Sequence, residues 1–231
     1  MSDLSAQLRA AGLDWIVPDW AAPAGVHALF TTRNGGRVQA FLPSPPVWLD
    51  QVHGTEVVDV DADATHGRAL PRADAAVTRA PGVVLAVRVA DCLPVFLCDR
   101  AGTAIGVAHA GWRGLAAGVI ENTVAAMACE PAGITAWLGP AIGPSAFEVG
   151  PDVRDAFVAT DDAAARAFVP VRTGKWLADL HALACQRLAR AGVEQISAMR
   201  ACTFSEAQRF FSYRRDGATG RMGAFVWRTA A

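Results

Sequence analysis

Lysine is nearly missing from this chain: of 21 basic residues, only Lys175 is not arginine. Alanine is abundant, so the asymmetry reads as the codon bias of a GC-rich genome and not as an arginine-built recognition surface. Net charge is also nearly absent, at −1 with a pI of about 6.5. Such a chain has no global field for nucleic acid or an anionic membrane, and any anion must be held by a local cluster. No apolar run approaches the roughly 18 residues of a membrane span. The opening MSDLSAQLRAAGLDW lacks the apolar h-region of a secretion signal. The expectation is a cytoplasmic protein without nucleic-acid or membrane partners. The five cysteines are odd in number and irregularly spaced, which argues against a disulfide framework. There is no CxxC, HExxH, Walker loop, internal repeat or strand-linked GxGxxG. With 231 residues, 52% of them hydrophobic, and no Pro/Gly/Ser linker, one domain over 1–231 with a sizeable core is expected.

Residues 88–114, RVADCLPVFLCDRAGTAIGVAHAGWRG, put a thiol, an imidazole, a carboxylate and a guanidinium inside one apolar hairpin pattern. Val95–Cys98 and Thr103–Ala108 read as two buried strands joined by the turn Asp99–Gly102. With the turn centred on Arg100-Ala101, Cys92 stands opposite His109, and directly opposed Cβ atoms lie roughly 4.5–5.5 Å apart. That distance suits one shared metal ion or a thiolate and its base. Pro94 lacks a backbone donor, which predicts an edge or a bulge there. Cys98, Cys129 and Cys185 sit among apolar neighbours and read as core residues. Cys92 and Cys202 sit beside polar residues and remain open for chemistry.

Elsewhere Val26–Thr32 reads as a strand ending at Arg33, and Thr55–Val60 as a strand after His53-Gly54. A polar loop over 61–73 leads to strands Asp74–Thr78 and Val83–Val89. Gly111-Trp112-Arg113-Gly114 opens a helix of about Leu115–Cys129, an entrance whose free amides suit an anion. Ile134–Leu138 and Gln195–Met199 read as strands. Pro151–Phe157, a looser stretch near Ala163–Phe168, and Trp176–Ala191 read as helices. Arg209–Tyr213 and Ala224–Trp227 flank the basic turn RRDGATGR.

His53, Cys92 and His109 form the best-placed His/Cys set, each at a strand end or turn. Three N,S,N ligands with a fourth position open match the stoichiometry of a catalytic zinc site. The same atoms allow a metal-free reading: Cys92 as nucleophile, His109 as base, the Gly111–Gly114 amides as an oxyanion hole, and Asp91 orienting or competing. His27, His66 and His181 have no partners in the pattern and read as surface or core residues.

Taken together, TTRNGG, QVHGTEV, ADAAVTRAPG, ADCLPV, GVAHAGWRG, LGPAIGPSAFEVG, CTF and RFFSYRRDGATGRM resemble the YfiH-like family. That family is also called the laccase-domain, polyphenol-oxidase or peptidoglycan-editing-factor family, and the motifs run from residue 31 to 222. The resemblance implies an α/β (α+β) fold, a four-layer YfiH-like sandwich of mixed and antiparallel sheets flanked by helices. It also implies a metal site of His53, Cys92 and His109. The implied chemistry is zinc-dependent: phosphorolysis of adenosine, inosine, guanosine and methylthioadenosine, together with adenosine deamination. Copper-dependent phenol oxidation and a role in peptidoglycan precursor quality are attached to the family as well. One N,S,N set without a further His-rich cluster favours the nucleoside chemistry over a several-copper laccase.

Two departures stand out. The family carries a longer segment between TTR.GG and QVHG, where this chain has only RVQAFLPSPPVWLD over 37–50. Its second glycine loop often carries Cys and Tyr where this chain has Ala141, Ser145 and Phe147. The expected enzyme takes a purine nucleoside and phosphate, with Zn2+, or copper, as cofactor. Cys92, Asp91 and Arg33 are its expected catalytic residues, and Arg33, Arg113, Arg214, Gly111 and Gly114 its expected phosphate and substrate contacts. A family member that binds metal or a nucleotide-like ligand without turnover is the non-enzyme alternative, motivated by the shortened segment.

Overall fold

Alternation along the central strands builds the fold. In the computed structural model, which describes residues 3–62 and 70–230, strand β5 (Leu93–Asp99) sends Leu93, Val95 and Leu97 to one side and Phe96 and Cys98 to the other. Strand β6 (Ile105–Ala110) does the same with Ala108 and Ala110 against Ile105 and Val107. A sheet apolar on both faces must be covered on both. The preceding strands are β1 (Val26–Phe30), β2 (Val57–Asp59), β3 (Ala75–Thr78) and β4 (Val84–Val89). Those that follow are β7 (Ile134–Leu138), β8 (Glu148–Val149), β9 (Phe168–Arg172), β10 (Lys175–Ala178), β11 (Gln195–Ala198) and β12 (Met222–Arg228). A mixed six-stranded sheet has the order β11-β7-β5-β6-β3-β2, with β11/β7 and β2/β3 parallel. The antiparallel sheet β1-β12-β4 covers its inner face, and a small sheet β8-β10-β9 stands apart.

Four layers result. Helices α2 (Trp112–Ala117), α3 (Val119–Ala126), α4 (Pro151–Val158) and α5 (Leu180–Arg190) cover the outer face of the six-stranded sheet through one large apolar cluster. A second cluster fills the space between the two sheets, where Phe96 stacks on Trp137 at 5.2 Å. A third lies outside the three-stranded sheet, where Phe225, Trp227, Val84 and Ala86 meet Leu8 of the N-terminal helix α1 (Leu4–Ala10), Trp15 and Trp48. The 37–50 segment contributes to that outer layer through Val38, Phe41 and Leu42. No helix among the described residues is long and apolar enough to cross a membrane.

Several sequence expectations change. The hairpin register pairs Pro94, not Cys92, with His109. The reason is the loop: the Asp99 carboxylate accepts from Thr103 N (2.7 Å), Ala104 N (2.9 Å) and Thr103 Oγ1 (2.6 Å), which takes two more residues out of the second strand. A shift of two preserves the side-chain face, so Cys92 and His109 still point into the space between the sheets. Pro94 lies on an inner strand, not at an edge. His109 N donates to Asp74 O across β3, so the missing Pro94 donor faces away from β6, toward the point where β7 has ended. The helix expected over 115–129 begins at Trp112 and breaks at Gly118, whose φ of 108° is left-handed. Trp176–Ala178 is strand, and the helix starts only after Asp179, whose carboxylate caps Ala182 N. Arg209–Phe211 is irregular, and Ser212 caps the short helix α6 (Tyr213–Asp216). His66 and most of the 61–73 loop lie outside the described residues.

Candidate metal centre

The site forms at the open end of the space between the sheets, where three chain segments stop. Asp74, just before β3, is opposite His109 on β6 by the register that pairs Ala75 with Ala108. Its carboxylate is fully buried and accepts four donors: His109 Nδ1 (2.7 Å), His53 N (2.9 Å), Gly54 N (2.7 Å) and Val52 N (3.1 Å). A buried carboxylate needs such compensation. Burial pulls its pKa up, but the bonds from His109, Gly54 and Val52 and the His109 charge hold it below the usual carboxylate range. One side chain thereby fixes two elements of the site. It holds the 52–54 loop, in which His53 adopts a left-handed φ of 60°. It also occupies Nδ1 of His109, leaving Nε2 as that ring's free ligating nitrogen.

Cys92 follows Asp91, the second left-handed residue here, with φ 90°. The Asp91 carboxylate, itself buried, accepts from Thr203 Oγ1 (2.6 Å), Ser212 Oγ (3.0 Å) and Arg214 N (2.6 Å). It therefore ties the CTF turn and the SYRR segment to the strand that presents the thiol. Cys92 Sγ lies 3.7 Å from His53 Nε2, and the rings of His53 and His109 meet edge to face at 4.8 Å. One donor atom from each of His53, Cys92 and His109 falls within 4.8 Å of the others. Desolvation opposes ionisation of Cys92, but the His109 charge and hydrogen bonds with His109 and His53 outweigh it and bring the thiol from 9.0 to about 6. Burial likewise disfavours the His109 imidazolium, yet the Cys92 charge and the Asp74 bond raise it to about 9. Two imidazoles and a thiolate, with one imidazole oriented by a carboxylate, fit a borderline-soft ion such as Zn2+.

Gly111 and Gly114 serve this packing. A Cβ at Gly111 would stand 2.7 Å from His53 Cδ2 and 3.1 Å from Cys92 Sγ, and one at Gly114 2.6 Å from Gly54 O. The close approach expected for a ligand is thus made by the His53 loop. Arg113 and Arg214 line the cavity above the triad, with Arg113 over the Trp112 ring and Arg214 donating to Glu148 O at 2.9 Å. Arg33 is elsewhere: its guanidinium sits over Phe211 and donates to Ala207 O, outside the cavity lining. His27 stacks on Trp227, and His181 is buried against Gly139 O at 3.0 Å. Asp74 is the residue that sequence reasoning missed. Its signal was an acid directly before the fully apolar AAV of a buried strand, where a charge must have partners.

The cavity holds about 890 Å3, and His53, Cys92 and His109 belong to its lining. The family model for multi-copper polyphenol oxidoreductase laccase matches residues 27–229. The purine nucleoside phosphorylase YfiH of Escherichia coli (strain K12) is 49% identical over 92% of this chain and 98% of its own length. A purine nucleoside phosphorylase of Pseudomonas aeruginosa is 46% identical over the same shares, 92% and 98%. Both alignments run over 241 positions, more than the 231 residues here, so these relatives carry residues that this chain lacks. The crystal structure of Neisseria meningitidis protein NMB0706 superposes with a TM-score of 0.88 at 46% identity, covering 94% of this chain and 100% of that one. The chain belongs to the laccase-like family of multi-copper polyphenol oxidoreductase laccases that includes YfiH.

Proposed function

We propose that this protein is a zinc-dependent purine nucleoside phosphorylase, acting on adenosine, inosine, guanosine and methylthioadenosine, with adenosine deamination as a second activity. The observation that carries the reading is the convergence of His53, Cys92 and His109 in the lining of a cavity large enough for a nucleoside and phosphate, with Asp74 orienting His109. The names of the relatives supply the substrate class. His53 Nε2, Cys92 Sγ and His109 Nε2 would hold the ion, which when bound supplies Lewis acidity beside the reacting sugar. In phosphorolysis a phosphate oxygen bonds to C1′ as the glycosidic bond breaks and the base leaves with the bonding pair. Arg113, beside the triad, holds the phosphate, because a guanidinium offers paired donors to an oxyanion. Asp91 keeps Cys92 and the Arg214 segment in place through its bonds from Thr203 Oγ1, Ser212 Oγ and Arg214 N. Arg33 has no contact with the cavity in this reading.

Asp74, His109 and Cys92 also stand in the order orienter, base, nucleophile, which is the geometry of a metal-free hydrolase. The third donor, His53 at 3.7 Å from the thiol, favours ligation over that reading. One three-donor group among the described residues also favours a single ion over the several coppers of a phenol oxidase. Chelation followed by reconstitution separates these readings. The expected result is phosphate-dependent cleavage that is lost with the metal and restored by Zn2+. Full activity after complete metal removal would support the hydrolase, and restoration by Cu2+ alone with phenol turnover the oxidase.

A further inference from the structure

Five cations line the cavity: Arg88, Arg113, Lys175, Arg214 and Arg221. None is in an ion pair with a carboxylate among the described residues, although cations elsewhere pair freely. One of them, Arg113, is already assigned to the phosphate beside the triad. On another wall, strand β10 carries Lys175 past β8: Trp176 pairs with Val149, and Lys175 Nζ comes within 3.8 Å of where a Gly150 Cβ would stand. Arg214 reaches the same strand, donating to Glu148 O at 2.9 Å. Of the carboxylates on this wall, Glu148 pairs with Arg172 at 2.6 Å, and Asp152, whose Oδ1 stands 2.7 Å from that same Gly150 Cβ position, lies beside Lys175 without an ion pair to it.

Lys175 is the chain's single lysine, half-buried beside Gly150 and Asp152. An ammonium there is a compact point charge with three rotatable donors, which a planar guanidinium does not reproduce. The cavity, at about 890 Å3, lies toward the upper end of the roughly 300–1,000 Å3 of small-molecule sites, so it has room beyond a nucleoside and phosphate.

We propose that Lys175 and Arg214 form a second anion subsite on the β8 wall, and that it takes the 5′-phosphate of a purine nucleotide. The inference rests on the nucleoside reading above and extends its ligand class from nucleosides to nucleoside 5′-monophosphates. The test is calorimetric binding of adenosine 5′-monophosphate and of adenosine to the full-length protein without inorganic phosphate, with thermal melts as a folding check. The nucleotide is expected to bind at least tenfold more tightly than the nucleoside. Lys175→Met and Arg214→Gln should each lower that ratio severalfold. Equal affinities in the unaltered protein, or an undiminished ratio in both folded variants, would overturn the subsite. So would a tenfold rise in the KM for phosphate in Lys175→Met with the affinity ratio intact, because the subsite would then belong to the free co-substrate. The two readings fail separately. Preference for the nucleotide without any nucleoside cleavage sinks the phosphorylase and leaves the subsite, whereas cleavage without preference does the reverse.

Discussion

Asp74→Asn is the substitution that probes the site most sharply, because it keeps the volume and removes one charge from a fully buried group. The carboxylate accepts from four donors, two on each oxygen: His53 N and His109 Nδ1 on Oδ1, Val52 N and Gly54 N on Oδ2. An asparagine has one acceptor oxygen, so whichever way its amide turns, two of the four donors face an NH2. Hydrogen bonds to charged groups contribute about 1.5–3 kcal/mol each, which puts the loss at about 3–6 kcal/mol, a large part of a total stability of about 5–15 kcal/mol. If the NH2 faces His109, Nδ1 must accept a hydrogen bond, the ring proton moves to Nε2, and that nitrogen no longer ligates. Zinc affinity should therefore fall by about 10–100-fold. The assays are urea unfolding of metal-free protein and zinc competition against a chromophoric chelator. Because Asp74 has a depressed pKa, its stabilisation is present above 3.8 and lost as pH falls through the folded value, so the two proteins should converge in stability in acid. An Asp74→Asn variant with unchanged zinc affinity and unchanged stability at neutral pH would refute the argument.

The protein should purify with about one zinc per chain, and His53→Ala, Cys92→Ala or His109→Ala should each lose most of it by elemental analysis; full occupancy in all three removes the site. Gly114→Ala drives a Cβ to 2.6 Å from Gly54 O and should destabilise the protein by about 1–3 kcal/mol while loosening zinc, whereas an unchanged melt would show that the His53 loop moves freely. In metal-free protein, iodoacetamide labelling of Cys92, located by peptide mapping, should titrate near pH 6, not near 9. The thiolate's stabilisation is present above 9 and lost as pH falls through about 6, and that of the raised His109 is present below 6.5 and lost through about 9, so the pair stabilises the fold between them; a labelling midpoint near 9 counts against the pairing.

The triad was legible because all three residues sit where apolar alternation stops, and a strand end is where a polar side chain can leave the core. The hairpin register was off by two, and the error was harmless because strands repeat every two residues and Cys92 kept its face. What misplaced it was local: Asp99 gathers its own loop by three hydrogen bonds, which strand propensity does not report. Trp176–Ala178 read as helix because its apolar spacing continues into α5, although Asp179 at the cap position marks the true start. Arg33 was assigned to the site from its place at a strand end, yet its cation is spent on Phe211 and Ala207 O. The glycines of AHAGWRG signalled a close approach, and the neighbour is the His53 loop, which folds back from far away in the sequence.

The products formed from adenosine by zinc-loaded protein, followed by chromatography with and without inorganic phosphate, decide whether the site is a phosphorylase. Adenine and ribose 1-phosphate are expected in equal amounts, formed only when phosphate is present and absent from the Cys92→Ala protein. Adenine release with free ribose in the absence of phosphate, or no adenine at all from protein holding its metal, would contradict it.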